Sequence, residues 1–327
     1  MRTIATQLRW LFLTWSLFHV AGAQVSSYSQ EVWVDSILNQ MSLEEKIGQL
    51  FMPPAYTDGR DNFDAILNLI RKYHIGGVIF MQGSPYKQAY YTNVFQQQSK
   101  VPLLIAQDAE WGVSMRLDSV ISFPKNMVIG ALADDSLVYE YGKAIAIQCT
   151  TLGVHVNFAP VLDVNSNPAN PVINDRAFGS DPHLVARKAL LIMEAFRELG
   201  IIPVGKHFPG HGDADKDSHL DLPVISRSFD QLWAIDLYPF RQAILYGLPA
   251  IMVAHISVPA LDSSGLPISL SEKVLKAFLR EKLHYDGVIF TDALNMKGVT
   301  MLFPPGELEL QALKAGNDLL LYSKDVP

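Results

Sequence analysis

Cysteine is nearly absent: the 327-residue chain has one, Cys149. A lone cysteine cannot pair within its own chain, so no internal disulfide framework exists. Cys149 sits in an apolar helical pattern and reads as a small buried hydrophobe rather than a reactive thiol. Positive charge is also short. Lys and Arg number 26 against 33 Asp and Glu, a formal charge of −7, which argues against nucleic acid as a partner. The apolar run at 10–20 is too short to span a bilayer. No G-x-G-x-x-G follows the first strand pattern, which weakens a dinucleotide-binding open sheet. No H-E-x-x-H, internal repeat or low-complexity tract is present.

What is there suits a globular protein. Hydrophobic residues make up 49% and charged residues 18%, enough for one large core or two ordinary ones. Arg2 and Arg9, the apolar run and Ala21-Gly22-Ala23 read as an export signal with an A-x-A cleavage site. Residues 1–23 are therefore expected to be a signal peptide and 24–327 the mature domain, exported to the periplasm or secreted. Cleavage would remove two positive and no negative charges and leave no stable membrane insertion.

Short apolar runs alternate with helical patterns. Eight strand candidates fall at 47–52, 76–81, 102–108, 155–160, 201–208, 250–256, 287–294 and 317–322. Helices are expected at 61–73, 86–98, 136–152, 182–199, 230–246, 271–283 and 307–315. The strand candidates are mostly continuous runs, as in parallel strands buried on both faces. Eight such units predict an α/β (β/α)8 TIM-type barrel. Only five residues follow the last strand candidate, so the barrel is expected to lack its last helix.

Barrels of this kind place chemistry at the C-terminal ends of their strands. There the sequence puts Asp108, then Asn157 and Asp163, Lys206-His207, His255, and Asp292. A carboxylate at an apolar strand's exit, as at Asp292, suits a nucleophile or a cation stabiliser; it suits a helix N-cap equally well. "KHFPGHGDADKDSH" (206–219) holds three histidines and three aspartates. His207 and His211 have the i, i+4 spacing of a helical zinc pair, but Pro209 and Gly210 interrupt it. A loop-based metal site stays open on spacing alone. Asp217-Ser218-His219 offers a carboxylate that can orient a histidine for proton transfer, or simply a polar loop.

Together these motifs resemble glycoside hydrolase family 3, specifically its β-N-acetylglucosaminidase (β-N-acetylhexosaminidase) branch of the bacterial peptidoglycan-recycling type. The resemblance rests on "KHFPGHGDADKDSHLDLP" (206–223), "FTDALNMKGV" (290–299), "MSLEEKIGQLFM" (41–52) and "NDRAFGSDP" (174–182). It implies a barrel domain and retaining hydrolysis of terminal β-linked N-acetylglucosamine, with no cofactor and no metal. Carried position by position, it implies Asp292 as nucleophile, His219 as general acid/base and Asp217 as its dyad partner. Asp108, Arg116, Arg176, Lys206 and His207 match sugar-binding positions. The partner is a small carbohydrate, and a monomer is expected. Related alternatives are a family 3 β-glucosidase, a phosphorylase, or a catalytically disabled sugar-binding barrel. In "DAEWGV" (108–113) Trp111 stands where the branch has a small residue, and it offers a stacking surface near the sugar.

Overall fold

The computed structural model describes residues 31–214, 222–323 and 326–327. Two compact units are distinguished, residues up to Ile47 and Gly48–Pro327. In the first, residues 31–38 are helical. Ser42 then forms a capping box. Its hydroxyl accepts from Glu45 N at 3.2 Å and Glu45 Oε2 accepts from Ser42 N at 2.9 Å, the reciprocal arrangement that starts a helix.

The second unit is built on a curled parallel sheet. A short strand, β1 (Phe51–Met52), opens it. Strands β2 (Pro54–Thr57), β3 (Gly77–Gly83), β4 (Leu104–Gln107), β5 (Val156–Asn157), β6 (Ile202–Phe208), β7 (Ala250–Val253) and β8 (Val288–Thr291) then follow one another in spatial as in chain order. A second parallel pair joins β1 to β9 (Leu320–Leu321). Backbone bonds link this pair to the sheet on both sides. Thr291 N donates to Leu319 O at 3.0 Å, and Ile79 N donates to Pro53 O at 3.1 Å. The fold is thus a TIM-like α/β arrangement with seven strands in its main sheet. Helices fill the parallel crossovers, which is why β6 reads as a nearly unbroken buried run.

The apolar core has two layers. Helices including Asp135–Thr151 and Pro182–Glu198 bury their apolar faces on the outside of the sheet. Inside the curl, Met52, Ile79, Ala106, Val156, Val204, Met252, Phe290 and Leu321 form a second cluster, drawn from eight of the strands. Two faces of burial per strand account for the continuous apolar runs.

Differences from the sequence expectation have local causes. Residues 47 and 48 close the helix Leu43–Gly48, so the first strand starts at Phe51 and resumes after Pro53. The helix expected over 230–246 is two, Phe229–Ala234 and Leu237–Leu245. Pro239 has no N–H to return to the Ile235 carbonyl, so one continuous helix cannot run through that turn. Short helices at Asn126–Gly130 and Lys297–Thr300 add to those expected. Ser271 behaves as expected: its hydroxyl accepts from Val274 N at 3.2 Å at the start of Lys273–Lys282.

Candidate active site

A cavity of about 410 Å³ opens at the C-terminal ends of the strands. Asp108, Arg116, Arg176, Lys206, His207 and Asp292 all line it. These are six of the eight residues singled out from the sequence. The other two, Asp217 and His219, lie outside the described residues.

The side reached from β4, β5 and β6 is a network of opposite charges. Asn157, at the end of β5, grips the turn after β4. Its side-chain amide accepts from Ala109 N at 3.0 Å and donates to Ala109 O at 3.2 Å. A carboxylate could make only the first of these bonds, because it has no proton to give. That grip sets the carboxylates on either side of Ala109. Asp108 takes Arg116 Nη2 at 2.5 Å and Lys206 Nζ at 2.8 Å. Glu110 takes Lys206 Nζ at 2.8 Å and a two-pronged contact from Arg176, at 2.6 and 3.0 Å. Lys206 is buried and shared between both acids. Burial alone would raise both carboxyls. The charges of Lys206 and Arg116 outweigh it at Asp108, holding that group well below the usual range. Arg176 and Lys206 do the same to Glu110, down to about 2.

His207 stands next in line. Its Nδ1 lies 2.6 Å from Asp163 Oδ2, and its Nε2 lies 3.3 Å from Arg176 Nη2. A guanidinium only donates, so Nε2 accepts and Nδ1 carries the ring proton. Asp163 also accepts from the backbone N of His211 at 2.7 Å. This shapes the Pro209-Gly210-His211-Gly212 turn. Gly210 has φ of 129°, and a Cβ at Gly212 would fall 1.7 Å from Val164 O, so both positions demand glycine. His207 and His211 therefore belong to a strand end and a tight turn, not to one helix face. Burial pushes the His211 ring down to about 4, so it is uncharged at neutral pH. Among the described residues no group of three or more His, Cys, Asp or Glu is placed to hold a metal.

Asp292 faces this network from the end of β8. It is half-buried, and its Oδ1 accepts from Ala293 N at 2.7 Å. Burial opposes its ionisation; the Ala293 amide and the charge of Lys206 help keep the carboxyl below the usual range. Among the described residues Asp292 is thus an anion with one amide bond, set across the cavity from a hydrogen-bonding wall. Such a site can bind a polyol on one side and attack it from the other.

Glu110 escapes the sequence reading as a site residue, and Asp163 and His211 enter it without their partners. Glu110 and Asp163 are visible as acids at strand ends, but their pairing with Arg176, Lys206 and His207 joins residues far apart in the chain, such as the 66 positions between Glu110 and Arg176. His211 lines the cavity as well. Trp111 is a correction in the other direction. It is not among the lining residues; Lys125 Nζ lies over its ring at 5.2 Å and also bonds Asp175 at 2.8 Å. The indole is turned to a surface cation, not to the sugar cavity.

Comparison with known proteins places this geometry in context. The sequence model of the Glycosyl hydrolase family 3 N-terminal domain matches residues 42–326. A β-hexosaminidase A from Pseudoalteromonas piscicida is 39% identical over 277 residues, 77% of this chain and 46% of that protein. A glycoside hydrolase family 3 β-N-acetylglucosaminidase structure from Paenibacillus sp. str. FPU-7 superposes with a TM-score of 0.81 at 38% identity, covering 88% of this chain and 56% of that one. The β-glucoside phosphorylase BglX bound to 2FGlc gives a TM-score of 0.86 at 29% identity, covering 91% of this chain and 55% of that one. The chain spans about half the length of two curated relatives, that β-hexosaminidase A and a β-N-acetylglucosaminidase/β-glucosidase from Cellulomonas fimi (46% and 53%). Among the described residues no helix is long and apolar enough to cross a membrane.

Proposed function

The chain belongs to glycoside hydrolase family 3, and from that premise we propose that it is a retaining β-N-acetylhexosaminidase. Its substrates are terminal β-linked N-acetylglucosaminides, peptidoglycan fragments or related amino-sugar glycosides. The observation that carries this reading is the anionic Asp292 standing across one cavity from the Asp108–Lys206–Glu110–Arg176 network. The β-hexosaminidase and β-N-acetylglucosaminidase relatives supply the sugar class.

In this mechanism Asp108, Arg116, Arg176, Lys206 and His207 hold the sugar hydroxyls, since charged donors and acceptors both face the cavity. Asp292 attacks the anomeric carbon as the bond to the leaving oxygen breaks. His219 gives that oxygen its proton and Asp217 orients the ring. A glycosyl-aspartate results, and His219 then takes a proton from the water that releases the sugar. An uncharged histidine does not repel a leaving group that carries a carboxylate, as an acidic amino sugar would. The backbone bonds from β8 through β9 and β1 to β3 support reading the curled sheet as an eight-stranded barrel, with β1 and β2 as one interrupted strand. The leader-like start supports action outside the cytoplasm.

Trapping with a 2-deoxy-2-fluoro sugar and peptide mass analysis tests the assignment. A covalent label on Asp292 is expected, and a label elsewhere overturns it. A second reading, phosphorolysis of β-glucosides, is favoured by the likeness to the phosphorylase structure. Acceleration by phosphate, with a sugar 1-phosphate as product and an aryl β-glucoside preferred, would select it.

A further inference from the structure

His255 is a fully buried histidine at the end of β7 that the mechanism above does not use. Its Nε2 lies 3.2 Å from the carbonyl oxygen of Ala293, the residue after the proposed nucleophile. A carbonyl only accepts, so Nε2 carries the proton and Nδ1 is an acceptor. Ser269 Oγ, also buried, meets Nδ1 at 2.7 Å and donates to it. The Ser269 backbone is held in turn: its carbonyl accepts from the buried Asn317 Nδ2 at 2.8 Å.

The backbone around Asp292 shows what this histidine adds. Asp292 N donates to Val253 O at 3.0 Å, and Leu294 N donates to Leu321 O at 2.9 Å. Those bonds fix the strand exit on both sides. Ala293 lies between them. Its N–H holds Asp292 Oδ1 at 2.7 Å, and its carbonyl is the group that His255 takes. The Ala293 carbonyl shares its peptide plane with the Leu294 N–H, so His255 and Leu321 hold that plane from its two edges, and a side chain placed there restrains the local backbone. Turning Ala293 turns the N–H that aims Asp292.

We infer that His255, oriented by Ser269, is a positioning residue for Asp292: it clamps the Ala293 carbonyl and thereby keeps the Asp292 carboxylate aimed into the cavity. This rests on Asp292 being the nucleophile. Its effect is on the attack itself, independent of how the leaving group is protonated.

The test follows labelling of the full chain by a 2-deoxy-2-fluoro sugar in time and by mass. For His255→Leu the rate constant is expected to fall about 10²-fold, the scale of a misplacement of roughly an ångström. The final labelled fraction is expected to stay at the wild-type level. N-acetylglucosamine is expected to protect at the wild-type concentration, because sugar binding is made on the other wall. Ser269→Ala is expected to slow labelling about tenfold, one lost hydrogen bond. A merely structural role would lower the labelled fraction and leave the rate of the remaining sites unchanged. Rates within about twofold of wild type in both variants overturn the inference. If His255→Leu does not fold, Ser269→Ala decides alone, by the same rate criterion. A label away from Asp292 sinks the nucleophile assignment; a label on Asp292 at the wild-type rate in both variants sinks only the role of His255.

Discussion

The two sides of the cavity treat their carboxylates differently. On the β4–β6 side, Asp108 and Glu110 are each gripped by two cations, and Asp163 by a histidine ring and two backbone amides. On the β8 side, Asp292 accepts, among the described residues, from one backbone amide, and Lys206, which favours its charge, belongs to the opposite wall. An acid tied to two cations cannot move onto a carbon without breaking both contacts. An acid tied at one oxygen keeps the other for reaction. In the proposed mechanism the same residue type is scaffold on one wall and reagent on the other, and the number of partners makes the difference.

Breaking the β8 side should have the largest effect. Asp292→Ala is expected to lower turnover by about 10⁵-fold, the scale for a lost nucleophile, with the fold retained by circular dichroism. Wild-type turnover in that variant would end the comparison. Lys206→Ala breaks the other side. It leaves Asp108 and Glu110 without their shared cation, and removing one partner of a buried ion pair costs about 3–5 kcal/mol. Urea denaturation should show that loss together with a raised KM.

His219→Ala separates attack from proton transfer. Turnover with poor leaving groups is expected to fall about 10²–10⁴-fold, with a smaller loss for activated aryl glycosides. Equal losses on both would count against the acid role. The smallest effect is a pH dependence. Glu110 titrates lower in the folded state, about 2 against its usual 4.5. A depressed carboxylate stabilises fully above its unfolded pKa and stops doing so as pH falls through the folded one. The stability gap between wild type and Glu110→Gln should therefore close as pH drops from 4.5 to about 2. A gap that stays constant across that window would show that the ion pairs of Glu110 contribute little.

Much of this is legible in the chain. The β/α rhythm comes from continuous apolar runs, and six site residues come from strand ends and motif likeness. The break at Ile235 is hidden because helical periodicity runs on across it; Pro239 is the signal. The helix end at Gly48 is hidden because Ile47, Leu50, Phe51 and Met52 are apolar whether helical or extended. Glu110 is in plain view beside Asp108. Its importance lies in sharing Lys206 with that neighbour, and no local pattern encodes a partner from a different strand end.

The order of residues along the chain shows which side chains are available and at which end of each strand they emerge, because a parallel strand's direction fixes where its exit loop opens. It also argues against a helical His207–His211 pair, because Pro209 and Gly210 lie between the two rings. The packing of the strand ends decides which acids are neutralised and which one, in the proposed mechanism, is left to react. Pairing is a matter of distances across the curl of the sheet, and a few ångströms separate a carboxylate held by two cations from one held by a single amide.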